Sequence, residues 1–344
     1  MTRPTLRTIA DKLGVSTATV SLAMRDSRKI STGTRERVKA ALVEEGYVYQ
    51  RSAAGLRTSR TDTVGVIVNN VSDPFFSTLL ASLEDALART GRTVFLCNSG
   101  ESAVRQTDFI RKMSEYNADG VIMSPAIGST AEDILALRQV MPPLVFVSRT
   151  MFDLPFDHVV NDDYEASVLA VGRLASLGHR RIAFVGGDPS VTACRERIRG
   201  YRAGLEIASL EFDESLVRSC VPTRLAGFEA ARWIAGLQPR PTAAIGYNDA
   251  VTLGLSAGLQ REGLVPGRSF ALIGHEDVEE ASLANPPLTV TTVSRDEMGR
   301  QAASALVERI ENPDAPPRRI VLKTELIVRE SCGFFIGDGA VGHV

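Results

Sequence analysis

From Thr63 onward the chain repeats one pattern, a short apolar run followed by an amphipathic stretch. VGVIV precedes a helical pattern from Phe75 to Arg89, TVFLC one from Ala103 to Tyr116, DGVIM one from Ala131 to Val140, and PLVFV closes the series. Apolar runs of strand length that alternate with 3.6-period helices imply a parallel sheet covered on both faces. A second series starts at RIAFVGG and continues through helices from Arg197 to Ala208 and Leu225 to Ile234, then AAIGY, Val251 to Glu262 and FALIG. Two α/β lobes of Rossmann-like parallel sheets are therefore expected, with a cleft at the carboxyl ends of their strands, where open α/β sheets bind ligands. The closing segments PPLTVTTV, Met298 to Ile310 and VLKTELIVRESCG are expected to return to the first lobe. That gives lobe 1 over about 62–161 and 291–330 and lobe 2 over about 162–290, within a core of 62–344.

The first sixty residues read differently. With 344 residues the chain is long enough for more than one compact domain, and its charge is segregated. Residues 1–60 carry 12 Lys+Arg against 5 Asp+Glu, while the remainder carries 27 against 36, so a net charge of -2 conceals a basic amino-terminal module on an acidic body. In TLRTIADKLGVSTATVSLAMR, Leu6, Ile9, Ala10 and Leu13 fall on one helical face before Gly14 breaks the pattern. Ser16 is placed to cap a second helix, with Val15 and Val20 at staple positions. A third helix is expected from Ser31 or Thr34 to Glu45, ended by Gly46. The spacing is that of a helix-turn-helix over residues 1–48, an all-α module distinct from the lobes. On the second helix Thr17, Ala18, Ser21 and Leu22 leave a face free of long charges that can enter a major groove. Arg25, Arg28, Lys29, Arg35 and Lys39 flank it as candidate phosphate contacts.

The segments TLRTIADKLGVSTATVSLAM, ISTGTRERV and EEGY together resemble the DNA-binding headpiece of the lactose/galactose repressor (LacI/GalR) family. The resemblance implies a sequence-specific transcription regulator, a repressor rather than an activator, that binds a palindromic operator as a homodimer. It implies DNA contacts from Thr5, Ser16, Thr17, Ala18, Thr19, Ser21, Leu22, Arg25, Ser31 and Thr34, with Thr17, Ala18 and Leu22 reading bases. Leu22 departs from the Arg or His often found at its position. Residues 49–61 resemble the family's hinge, in which Leu56 occupies the position of a leucine wedged into the minor groove. Tyr49, Gln50, Ala54 and Gly55 are unusual there.

The rest of the chain resembles the family's effector-binding core, which is similar to periplasmic sugar-binding proteins, and implies a sugar or sugar derivative as effector. Matching positions nominate Asp73, Phe75, Phe76, Arg149, Arg197, Asn248 and Glu276. Carboxylates and an amide accept from hydroxyls, and a guanidinium bonds two neighbouring oxygens at once. Asp73 before Pro74, and Asn248 or Asp249, could equally cap helices. Glu276 replaces the usual Asp, His275 the usual Tyr, and Pro222 an aromatic, so a nucleobase or sugar acid stays open.

The competing classes are weaker. Gly254-Leu255-Ser256-Ala257-Gly258 matches a GxSxG nucleophile elbow but falls in a helical stretch, so no enzyme is expected. A solute-binding protein is opposed by the headpiece and by a start that meets charges before any signal-like apolar run. The four cysteines form no CxxC and the four histidines show no metal-ligand spacing, so no metal or cofactor is expected, and a cytoplasmic location is.

Overall fold

The computed structural model describes residues 4–24, 26–47, 60–151 and 154–333. The chain divides into two units, 1–61 and 62–344.

In the first unit, helices α1 (Leu6–Leu13), α2 (Thr17–Met24) and α3 (Thr32–Glu44) surround a small core of Ile9, Ala10, Val20, Ala23, Val38 and Ala41. Each start is fixed by a hydroxyl. Thr5 Oγ1 accepts the Thr8 N–H at 3.2 Å, Ser16 Oγ the Thr19 N–H at 3.0 Å, and Ser31 Oγ the Thr34 N–H at 3.2 Å. Gly14 ends α1 with φ 63°, a left-handed conformation in which a Cβ would be strained. Only Val15 and Ser16 then separate it from α2, and Val15 packs on the core as the staple pattern predicts.

The second unit holds two six-stranded sheets among the described residues. The first sheet contains β1 (Thr63–Val68), β2 (Thr93–Asn98), β3 (Gly120–Met123), β4 (Leu144–Ser148), β5 (Asp157–Asn161) and β11 (Arg319–Leu322), in the order β11-β5-β4-β3-β1-β2, all parallel. Its helices are α4 (Pro74–Ala88), α5 (Ala103–Glu115), α6 (Ala131–Leu135) and α12 (Arg295–Glu311). The second sheet contains β6 (Ile182–Val185), β7 (Val217–Arg218), β8 (Ala243–Gly246), β9 (Ala271–His275), β10 (Thr289–Thr292) and β12 (Glu325–Ile327), ordered β12-β10-β9-β8-β6-β7, with β12 antiparallel to β10. Its helices are α7 (Asp163–Ser176), α8 (Thr192–Ile207), α9 (Arg224–Gly236), α10 (Asp249–Arg261) and α11 (Glu279–Leu283).

Three features differ from the sequence reading. The closing segments do not all return to lobe 1. β10 is a buried central strand parallel to β9, and β12 pairs beside it, so 291–292 and 325–327 belong to lobe 2. Only α12 and β11 lie in lobe 1, and the chain crosses between lobes at 161–163, 292–295 and 322–325. The expected helix from Ala131 to Val140 ends at Leu135, and 136–140 continue as turns with i to i−3 hydrogen bonds, such as Val140 N–H to Leu137 O, before Pro142-Pro143. Finally, β5 and α7 were not expected. The DHVVN strand is short, and α7 buries mainly small residues, Ala166, Ser167 and Ala170, beside Val171 and Leu174.

Candidate functional site

Helix α2 turns Val20 and Ala23 into the headpiece core and leaves Thr17 and Ala18 exposed, with Thr19, Ser21 and Leu22 half-buried. A face of small and hydroxylated side chains beside a capped helix N-terminus suits close approach to a duplex, because hydroxyls can meet base edges and backbone N–H groups can meet phosphate. Of the basic candidates, Arg28 and Lys29 are exposed, whereas two brace the α2–α3 connection. Lys39 Nζ pairs with Asp26 at 2.5 Å, and Arg35 Nη2 donates to Ser27 O at 3.0 Å. Thr5, Ser16 and Ser31 serve as caps, with Thr19 and Thr34 as their partners. Arg25, Leu56 and nearly all of the expected hinge lie outside the described residues.

In the α/β unit a cavity sits against all three crossings. It is lined by Asn161, Val293 and Thr324 from the crossings, Phe75 from lobe 1, and Asp163, Arg197, His275 and Glu276 from lobe 2. Arg197, on α8, is its hub. Its Nε donates to Asp163 Oδ1 at 2.8 Å, Nη1 to Tyr247 O, and Nη2 to Glu276 Oε1 at 3.2 Å, while its guanidinium lies 5.0 Å from the Tyr247 ring centroid. Burial opposes the Arg197 charge, but Asp163 and Glu276 more than offset it and raise its pKa. Burial also pushes Glu276 well above the usual carboxylate range, with Arg197 opposing and the charges of Asp249 and Asp73 adding to the rise. Glu276 holds φ 76°, a strained backbone for a residue with a Cβ. Burial and the Arg197 charge press His275 well below its ordinary value, so its ring is neutral. Nδ1 of that ring sits 2.5 Å from Thr291 Oγ1 and Nε2 3.4 Å from Ser167 Oγ.

The other nominated residues act as helix caps, core packing and an ion pair. Asp73 caps α4, its Oδ1 accepting the Phe75 N–H at 2.8 Å. Burial, and then the charge of Asp249 from the other lobe, push it up to about 6. Asn248 caps α10 through the Val251 N–H at 3.0 Å, while its Nδ2 has no partner among the described residues. Phe75 and Phe76 pack edge to face, centroids 5.2 Å apart, in the lobe 1 core, and only Phe75 also lines the cavity. Arg149 is held within its own lobe by Glu101, Nη1 to Oε1 at 2.9 Å, and the same carboxylate accepts from Asn69 Nδ2 at 3.2 Å and the Ile127 N–H at 2.9 Å. Sequence reasoning missed Asp163, Glu101 and Asn161. Asp163 carried one available signal, the polar run Asn161-Asp162-Asp163 directly after Val159-Val160.

The GxSxG segment is inside α10 and not on a strand-to-helix turn. A Cβ at Gly254 would stand 1.9 Å from Arg224 O and one at Gly258 2.3 Å from Phe228 O, so these glycines let α10 lie against α9. Among the described residues no group of His, Cys, Asp and Glu could hold a metal ion, and no helix is long and apolar enough to cross a membrane.

A module of capped helices and a two-lobed α/β unit with a cavity between its lobes, carried on one chain, define a ligand-responsive DNA-binding regulator. Residues 5–50 match the model of bacterial regulatory proteins of the lacI family, and residues 61–330 match that of periplasmic binding proteins and the sugar binding domain of the LacI family. The chain belongs to the LacI family. It is 30% identical to the HTH-type transcriptional repressor PurR of Vibrio atlanticus (strain LGP32), over 95% of this chain and 98% of that one. Among solved structures it is similar to a complex of the transcriptional regulator CelR with cellobiose (32% identity, TM-score 0.71, 96% of this chain and 100% of that one). It shares the fold of the Lac repressor dimer bound to operator and the anti-inducer ONPF (22% identity, TM-score 0.86, 96% and 99% covered).

Proposed function

We propose that this protein represses transcription from the cytoplasm by binding a palindromic operator as a homodimer, under control of a sugar-like effector held around Arg197. The observation that carries the reading is the exposed Thr17-Ala18 face at the Ser16-capped start of α2. Base contacts come from Thr17, Ala18, Ser21 and Leu22, and phosphate contacts from the helix starts at Thr5, Ser16 with Thr19, and Ser31 with Thr34, as well as from Arg25, Arg28 and Lys29. The resemblance alone assigns the minor-groove wedge to Leu56. Two-fold symmetry of the dimer matches half-sites about one helical turn apart. In the cleft, Asp73, Asn248, Glu276 and Arg197 bond the effector directly, Phe75 supplies its apolar wall with Phe76 packed behind it, and Arg149 orients Glu101 beside it. The neutral His275 and the GxSxG glycines have packing duties, which fits a binding protein and not a hydrolase; no cofactor or metal is assigned.

In-vitro selection from randomised duplexes, followed by a salt-matched titration of the enriched sequence against a scrambled one, tests this reading. The enriched palindrome should bind at least about 10³-fold more tightly than the scramble. Absence of enrichment, or equal affinity for both, would refute it.

A further inference from the structure

Two carboxyls meet beside the Arg197 hub, and a bond between them requires a proton on one. Asp249, in the first turn of α10, is buried, and the largely buried Glu276 side chain hydrogen-bonds with it. Asp249 Oδ1 has no N–H or hydroxyl partner among the described residues. The start of α10 favours negative charge on Asp249, which leaves Glu276 as the holder of the proton. Its hydroxyl donates to Asp249, while its Oε1 accepts from Arg197 Nη2 at 3.2 Å.

The surrounding charges keep that proton in place. Asp163 already pairs with Arg197 Nε at 2.8 Å, so one buried cation serves three carboxyls, and the neighbouring His275 ring is neutral. Near Asp249, Arg224 is exposed and paired with Glu280 at 3.0 Å. From lobe 1, the charge of Asp73 is felt by Glu276 and repels that of Asp249. The two guanidinium groups near Asp73 are engaged elsewhere, Arg149 by Glu101 and Arg295 by Asp277 O.

Because Asp73 belongs to the opposite lobe, the proton bears on how the lobes meet. Beyond the three crossings they touch directly: Thr192 Oγ1 on α8 donates to Thr150 O at 2.6 Å, and Ile127 of lobe 1 packs on the lobe 2 core. Loss of the proton would set a second negative charge of lobe 2 against Asp73, in a site where water screens poorly. We propose that Asp249 and Glu276 share one proton that acts as a pH-sensitive catch on the cleft, holding the lobes together while bound and letting them part when it leaves. The catch concerns the cleft assigned above to the effector, but its test needs no effector, so its failure and that of the effector reading are distinguishable.

The full-length protein is compared with Asp249→Asn and Glu276→Gln, each of which replaces the protonated pair by a neutral amide and one carboxylate. Infrared difference spectra at pH 7.5 should show the carbonyl stretch of a protonated carboxyl in wild type and its loss in both variants. Hydrogen exchange, compared between proteins at the same pH, is followed in peptides covering 124–130 and 190–196. At pH 5.5 the proteins should exchange alike; above the pair's titration, opening in wild type should rise relative to Asp249→Asn by up to about tenfold per pH unit, the limit for one proton. Asp73→Asn, which keeps the α4 cap, should retain the infrared band and lose much of this pH-dependent opening. Absence of the band in wild type, or its survival in both variants, overturns the shared proton. A band with equal exchange in wild type and Asp249→Asn at every pH overturns the catch. If Asp249→Asn does not fold by circular dichroism, the same comparison with Glu276→Gln decides.

Discussion

Replacing Arg197 with Met keeps most of the side chain's length and removes the hub charge of the cleft. The side chain is 5% exposed, and its partners Asp163 and Glu276 are 7% and 16% exposed, so the substitution leaves two buried carboxylates without their counter-charge. Removing one partner of a buried ion pair costs about 3–5 kcal/mol. Part of this is recoverable by protonation, and that fixes the pH dependence. Burial raises the pKa of both Asp163 and Glu276 in the folded chain, and Arg197 is what restrains the rise. A carboxyl with a folded pKa above its unfolded one takes up a proton on folding. Its stability contribution is therefore fullest below the unfolded pKa and declines as pH rises through the folded pKa. Loss of Arg197 lifts both folded values further, so the deficit of the variant should be smaller near pH 5 than near pH 7.5. Urea unfolding followed by circular dichroism at those two pH values, alongside wild type, reads it out. A variant as stable as wild type near pH 7.5, or one whose deficit grows toward acid, would refute the reasoning; Arg197→Lys offers a milder variant if the Met protein does not fold.

Ser16→Ala should destabilise the headpiece by about 1 kcal/mol and Ser16→Gly by a few tenths, as expected for loss of an N-cap, measurable in thermal melts of the full chain. Thr17→Ala should relax sequence preference at one base pair, with about 1–3 kcal/mol of discrimination lost; equal weakening on all duplexes would assign Thr17 to packing instead. Gly254→Val should destabilise the α/β unit by at least about 1–3 kcal/mol, because its Cβ meets backbone that a rotamer change cannot move. Ser256→Ala should leave operator binding unchanged, and loss of a hydrolytic activity in that variant would restore the nucleophile-elbow reading.

The parts of the fold written in strong periodicity were legible. Gly14, Ser16 and Ser31 mark helix ends by local chemistry alone, and VGVIV, RIAFV and FALIG are apolar enough to be read as buried strands. The paths of the crossings were not. β10, before α12, and β11, after it, have similar β-branched, strand-like sequences, and their placement in different lobes depends on long-range pairing, of β10 with β9 and of β11 with β5. The cleft was legible as single residues and not as a circuit. Arg197 and Glu276 could be named from sequence, but Asp163 lies 34 positions from Arg197, and the bond that joins them exists only because α7 and α8 pack together. Asp73 and Asn248 illustrate a different limit. Both residues cap helices, and a capping carboxylate or amide retains a second polar atom that can still face a ligand, so the sequence does not separate the two roles.

If the cleft is coupled to the DNA-reading helix, operator affinity must differ with and without saturating effector. A change of about 5- to 150-fold is expected, matched by an equal change in effector affinity when operator is present, since binding linkage is reciprocal. Operator affinity that stays the same at saturating effector would contradict it.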